Sequence, residues 1–365
     1  MLEAGRVTYK QLILLIFISR LIVGLTYLPG ITAPPANQDI WLVGIFHLPI
    51  ELLLSIPIYL LWKRFPDQSI IQYSETLLGI GGKIIGVLYA WLFIQYSAIT
   101  LTQLGFFMST MILPDTPPLF IVASMVLVCA YGVLHGLKVL GRLSEIVAPI
   151  IIIAIITIFV LIAKDMDLKK LTPFLETGIF PIMQGGFIAA ARSMEIIGLA
   201  MVFPCLNDQG KGKTVLIAGY TLPVIIFMLL EIVLISIFGG EAAKKATFPV
   251  FLMIRTISLE GFLERIESVH LAVWLLGIFI KVSFYYYLAV LSIGQLFDFK
   301  EYKPLILPVS AIIIPLCIII APNLAELRVF TGHKIFTWYV LFFSVVIPSL
   351  LLFTAILRKK GVPGK

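Results

Sequence analysis

The sequence predicts an all-α polytopic membrane protein of ten transmembrane helices. Three observations carry that expectation. The chain has 365 residues, of which 60% are hydrophobic and 13% charged, against about 25% charged in ordinary soluble domains. The apolar excess recurs along the whole chain in runs of about 20 residues, the length a helix needs to cross a ~30 Å hydrocarbon core. Glycine and proline interrupt the first run of each half at matching places. In lipid a helix satisfies its own backbone groups and an open sheet does not, so every span is expected to be helical.

The spans are expected at roughly 8–32, 40–62, 84–113, 118–136, 143–163, 179–204, 214–238, 265–290, 304–321 and 335–357. The basic, then apolar N-terminus resembles a signal peptide, but it lacks a small-residue cleavage site and is read as the first span. Pro34-Pro35, Pro117-Pro118 and Gly239-Gly240 mark loops. Two connections are long, 164–178 and 239–264; in the second, Phe248 to Ile257 forms either a short helix at the membrane face or a loop packed on the bundle. Residues 1–365 read as one transmembrane domain, with a first repeat at about 8–163 and a second at about 179–357.

Charge excludes several functions and sets the orientation. Twenty-seven basic and 20 acidic residues are too few to cover a soluble protein of this length. A soluble enzyme, a nucleic-acid-binding protein and a disordered tail are therefore excluded. The net charge of +7 reads as basic cytoplasmic loops facing a lipid bilayer. With the N-terminus inside, the inner segments hold fifteen lysines and arginines and the outer loops nine, which places both termini in the cytoplasm. Cys129, Cys205 and Cys317 lie far apart, and the four histidines show no metal spacing, so no disulfide, metal or cofactor is expected. Gly210 to Thr214 ends like a phosphate loop but has Asn207 where glycine is required, and Gly79 to Lys83 runs into Ile84 where a dinucleotide fingerprint needs glycine. No catalytic triad is discernible, and no enzyme is expected.

The breaks point to a ligand site. Span one carries Gly24, Leu25, Thr26, Tyr27, Leu28 and Pro29. Span six carries Gly198 to Pro204, with Gly185-Gly186 upstream. Paired breaks predict a five-plus-five inverted repeat with broken helices one and six. Unwound backbone offers N–H groups to a carboxylate and carbonyls to an ammonium, which suits a free amino acid. The expected ligand-binding residues are Gly24, Leu25, Thr26 and Tyr27 with Ser193, Met194, Glu195 and Gly198. Tyr96 and Thr100 of span three and Ser283 and Tyr287 of span eight would close the pocket. The competing reading is that these glycines, prolines and aromatics serve packing alone.

Six charges fall inside spans: Arg20, Glu51, Arg192, Glu195, Glu231 and Lys281. Each costs at least ~2.5–3.5 kcal/mol at mid-membrane, so each should face protein or water. Arg192 and Glu195 stand at i, i+3 and would pair locally if span six is helical there. Glu195 otherwise touches a ligand amine or carries a proton. Arg20 pairs with an acid or approaches a ligand carboxylate. Glu51 and Glu231 read as buried partners. Lys281 either pairs with an acid or replaces a coupling cation.

Taken in order, these residues resemble a known family. Arg142 to Ile146, Asp165 to Pro173, Ser193-Met194-Glu195, Phe248-Pro249, Gly261 to Ser268 and Leu28-Pro29 resemble the B subunits of GerA-type spore germinant receptors, over about residues 8–358. Ile22 departs from the pattern, standing where a first glycine is expected. The resemblance implies the LeuT-like fold of the amino acid–polyamine–organocation transporters. It implies a nutrient-sensing subunit, most simply for an amino acid, that works with A-type and C-type subunits in the spore inner membrane. The alternative is a proton- or sodium-coupled amino acid transporter.

Overall fold

Thr8 begins the first span with a capping box: its hydroxyl accepts the Gln11 N–H at 3.2 Å, and the Gln11 amide oxygen accepts the Thr8 N–H at 3.1 Å. From there the computed structural model, which describes residues 5–257 and 266–361, is a succession of helices. Eight are long and apolar enough to cross a membrane: Tyr9–Tyr27, Gln38–Arg64, Ile80–Met111, Gly136–Asp165, Ile179–Cys205, Gln209–Phe238, Ile266–Leu296 and Phe336–Leu357. Pro118–Leu134 is a shorter apolar helix, and Lys303–Ile319 with Leu324–Phe330 forms a pair bent by 104°. The ten expected runs each fall on one of these, and they are numbered below as spans one to ten in chain order.

Burial sorts the spans into two classes. The apolar windows of spans six and eight are 89% and 83% buried, against 33% for spans two and five. Six and eight therefore form the interior, and two and five face lipid. Span five shows that face plainly: Ile146, Ile153, Ile156 and Val160 point outward, which is tolerable only where the solvent is hydrocarbon. Span one lies against spans five, seven and eight, span two against six, and span three against eight.

Several boundaries differ from the sequence reading. Span five begins at Gly136, since the segment holding Lys138 and Arg142 is already helical; long basic side chains keep their heads in water while their stems lie on an apolar helix. Ile70–Leu78 is an additional helix, started by a Ser69–Gln72 capping box and ended by Gly79 at φ 60°. Span nine turns at Ala321–Asn323: Pro322 lacks the N–H a continuing helix needs, and the Asn323 side chain caps the next helix through the Glu326 N–H at 3.0 Å. Of the second long connection, Pro249–Arg255 is a short helix packed on the bundle. Phe248 meets Tyr27 at 5.1 Å and Phe107 at 5.2 Å between ring centroids, so an aromatic cluster draws this helix inward. Gly261 and its neighbours through Arg265 lie outside the described residues.

The departure at Ile22 has a partner. A Cβ on Gly277 of span eight would stand 2.2 Å from Ile22 Cδ1 and 3.2 Å from its Cβ. Gly277 thus makes the room that Ile22 fills. Gly277→Ala is expected to destabilise the protein by about 1–3 kcal/mol through overpacking. Adding Ile22→Ala should recover most of the loss in the unfolding midpoint.

Candidate functional site

The break in span one falls at Ile22–Val23, between helices Tyr9–Leu21 and Gly24–Tyr27. In an unbroken helix the Ser19 carbonyl would accept from Val23 and the Ile22 carbonyl from Thr26. Here the Thr26 N–H turns to the Val23 carbonyl at 3.3 Å. Side chains of span eight replace the lost donors: Lys281 Nζ donates to the Ser19 carbonyl at 2.5 Å, and Trp274 Nε1 to the Ile22 carbonyl at 2.9 Å. Leu28, directly after the one-turn helix Gly24–Tyr27, is held in the left-handed region at φ 37°.

Span six breaks in the same way, at Arg192–Ser193, between helices Ile179–Ala191 and Met194–Val202. The Ser193 N–H goes to the Ala190 carbonyl at 3.2 Å, and Arg20 Nη2 donates to the freed Ala189 carbonyl at 2.9 Å. This corrects the expected location. Gly198 lies inside the second half-helix, where a Cβ would come within 3.0 Å of the Phe284 ring. Gly185 and Gly186 lie inside the first half-helix and permit close approach to the Pro34 carbonyl and to Phe46 of span two.

The two capping cations need counter-charges, because each ion taken out of water costs several kcal/mol. Glu195, at the start of the second half-helix where the dipole favours an anion, lies 3.2 Å from Lys281 Nζ and 4.0 Å from Arg20 Nη1. It also accepts from the Ser19 hydroxyl at 2.9 Å and from Tyr285 at 3.1 Å. Glu51 of span two lies 3.7 Å from Arg20 Nε and 3.2 Å from His47 Nε2. Two cations and two anions thus balance. His47 Nε2 is also 3.0 Å from Arg20 Nη2. A guanidinium only donates, so this nitrogen accepts from Arg20 or, carrying a proton, donates to Glu51. The i, i+4 spacing of His47 and Glu51 was the available signal for this member, which sequence reasoning passes over.

Beside the network lies a cavity of about 140 Å³. That is close to the ~150 Å³ cavity that holds benzene in an engineered protein, so it takes a small organic molecule. Its walls are mostly apolar, from Val43, Ile99, Ile188, Phe227, Met228 and Phe336, with polar groups at Arg20, His47, Gln103, Arg192, Glu231 and Lys281. Such a mixture suits a small-molecule site.

Of the twelve expected ligand-binding residues, Gly24 and Tyr96 line this cavity. The others lie elsewhere. Leu25 lines a second cavity of about 20 Å³, and Thr26 meets His270 Nε2 at 3.2 Å. Tyr27 donates to the Gln103 carbonyl. Thr100 turns back to the Tyr96 carbonyl at 3.0 Å, as helical threonines do. Ser193, Met194, Glu195 and Gly198 are buried and do not line it. Ser283 faces Gly132 of span four, and Tyr287 packs on Tyr302 at 5.5 Å between centroids. The local Arg192–Glu195 pair does not form, because the helix breaks between them; Arg192 donates instead to the Thr331 carbonyl at 2.6 Å and lies over the Phe336 ring. Of the six intramembrane charges, Arg20, Arg192, Glu231 and Lys281 line the cavity.

Lys281 and Glu195 are nearly fully buried, so their pairing is open to a direct test. Lys281→Met is expected to cost about 3–5 kcal/mol by stranding Glu195. The double variant Lys281→Met, Glu195→Gln should recover a large part of that loss, read as unfolding midpoints in a double-mutant cycle.

Comparison with known proteins agrees with this architecture. Residues 6–325 match the family described as "Spore germination protein". The chain is similar to spore germination protein KB of Bacillus subtilis (strain 168), at 28% identity over 98% of this chain and 97% of that one. It is also similar to spore germination protein A2 of the same organism, at 25% over 75% and 76%. Among solved structures it resembles a nucleobase-cation-symport-1 family transporter in a closed conformation with bromovinylhydantoin bound, with TM-score 0.73, 12% identity, and coverage of 98% of this chain and 80% of that one. A Na⁺-coupled sialic acid symporter in a substrate-bound outward-open state gives TM-score 0.63 at 14% identity, covering 95% and 90%. These likenesses give the fold, a LeuT-like transporter architecture, and the broken first and sixth spans are part of it. The chain is a multi-pass membrane protein, not an enzyme, and it belongs to the spore germination protein family.

Proposed function

We propose that this chain is the nutrient-sensing membrane subunit of a spore germinant receptor, and that the nutrient is a small molecule of amino-acid size. The observation that carries the reading is a cavity of about 140 Å³ at the breaks of spans one and six, sharing Arg20 and Lys281 with the network that caps those breaks. A ligand there touches the groups that fix the relative position of spans one, six and eight. It shifts the resting equilibrium in proportion to its differential affinity for the two states. A-type and C-type subunits in the spore inner membrane read that shift, with both termini of this chain on the core side, as the basic inner loops favour.

A proton- or sodium-coupled amino acid transporter is the competing function for this fold. A transporter of that kind uses carbonyls freed at a helix break to coordinate the ion. Here the Ser19 carbonyl is already taken by the Lys281 ammonium, which argues against a sodium ion at that carbonyl and leaves proton coupling to the transport assay. Counterflow of labelled amino acids in liposomes holding the purified chain, with binding recorded alongside, separates the two. Saturable binding without exchange is expected, and exchange across the membrane would mean transport. In spores, Gly24→Leu is expected to abolish the nutrient response while the protein still inserts. A Cβ at that position would stand 2.2 Å from the Phe227 ring and drive it into the cavity. A normal response would remove the cavity from the mechanism.

A further inference from the structure

Counting charges around the cavity leaves two over. Arg20 and Lys281 are matched by Glu51 and Glu195. Asp39, the other buried acid near this end of the bundle, accepts the N–H groups of Leu175 and Glu176 at 3.0 and 3.1 Å. The remainder is Arg192 and Glu231, and both line the cavity. Arg192 spends one donor on the Thr331 carbonyl and has no carboxylate partner among the described residues. Glu231 is 8% exposed and makes no hydrogen bond or ion pair among the described residues. Its Oε1 lies beside Gly30, 3.9 Å from where a Cβ would stand.

A buried carboxylate without a counter-charge is costly, and a cationic group entering the cavity relieves that cost. A guanidinium with donors to spare suits a carboxylate held by two parallel bonds. A bare cation would satisfy Glu231 and be repelled by Arg192, and a bare anion would do the reverse. We propose that Glu231 and Arg192 are the two charge poles of the cavity and that the ligand is a small zwitterion, its ammonium against Glu231 and its anionic end against Arg192. This rests on the cavity being the nutrient site, and it assigns span seven a direct part in recognition.

The test is thermal unfolding of the purified full-length protein in nanodiscs with each common amino acid at millimolar concentration. For any that stabilises, the matching 2-hydroxy acid lacks the ammonium and the matching amide lacks the carboxylate. At least one amino acid is expected to raise the midpoint, and neither of its analogues should. Glu231→Gln and Arg192→Gln should each weaken that binding roughly tenfold or more. Without ligand, Glu231→Gln should be at least as stable as the parent, because the buried carboxyl makes no hydrogen bond or ion pair among the described residues that the substitution would remove; a loss of stability would make Glu231 a structural residue and overturn the assignment. The comparison of amino acid with hydroxy acid needs no variant, and equal stabilisation by the two overturns the proposal. Stabilisation by sodium or potassium chloride that is lost in Glu231→Gln but kept in Arg192→Gln would mean a cation site and overturn the zwitterion. Stabilisation by glucose alone, abolished by Gly24→Leu, would overturn the zwitterion and leave the nutrient cavity standing. No stabilisation by any probe would overturn both.

Discussion

The carbonyls of Ser19 and Ala189 set the terms for the rest of this structure. A helix broken inside a membrane frees backbone groups where no bulk water can take them, at several kcal/mol each. Here each freed carbonyl is taken by a cation from another span: Lys281 of span eight on Ser19, and Arg20 of span one on Ala189. Those cations are admissible only with anions beside them, which calls for Glu195 and Glu51. Two broken helices thus lead to a four-charge network, and the network ties spans one, two, six and eight together. Breaking any one link strands a group that the membrane does not tolerate alone.

The same arrangement makes the centre of the protein responsive. Arg20 and Lys281 serve the backbone on one side and line the cavity on the other. A molecule in the cavity therefore competes for donors already committed to the helix breaks. His47 adds a second choice, since its Nε2 faces Arg20 and Glu51 together and satisfies one at a time. Packed interfaces change between discrete arrangements more readily than they deform, and a set of shared donors supplies such arrangements. The backbone at Leu28, in a region that non-glycine residues occupy at a cost of about 1–3 kcal/mol, lies on the same cavity wall.

Much of the fold was legible because its causes are local. Runs of about 20 apolar residues, few charges and the Pro34-Pro35 and Gly239-Gly240 turns are each properties of a short window. The breaks were legible as a pair, but the one in span six was misplaced by several residues, since glycine and proline were read as its cause, while the one in span one falls just before Gly24. The helices part at Ile22–Val23 and Arg192–Ser193, where distant side chains, Lys281, Trp274 and Arg20, supply better partners than the helix does. No window around Ser19 contains Lys281. The site was less legible for the same reason. Which face of span eight meets the cavity depends on its rotation in the bundle, and that rotation turns Ser283 towards span four and Tyr287 towards Tyr302. The intramembrane charges were the better guide: a charge in hydrocarbon must find protein or water, so four of the six line the cavity.

Shape and charge in this cavity are set by different residues, and that separation bears on how ligand choice is encoded. The shape comes from glycines facing large side chains: Gly24 against Phe227, and Gly44 against Met228, where an added Cβ would stand 2.2 Å from the neighbour in each case. Each such pair fixes how far a ring or thioether retreats from the central space, and a swap of one member alters volume without touching the charge network. The charge comes from the ionisable groups on the walls. The four members that hold the helix breaks are constrained, because losing one leaves a carbonyl or a partner stranded. Glu231 carries no such duty, and the Arg192 side chain holds the Thr331 carbonyl and not a carbonyl freed at a break. Residues outside the network that holds the breaks are the ones that can change with the ligand, so recognition in this fold can drift while that network stays fixed.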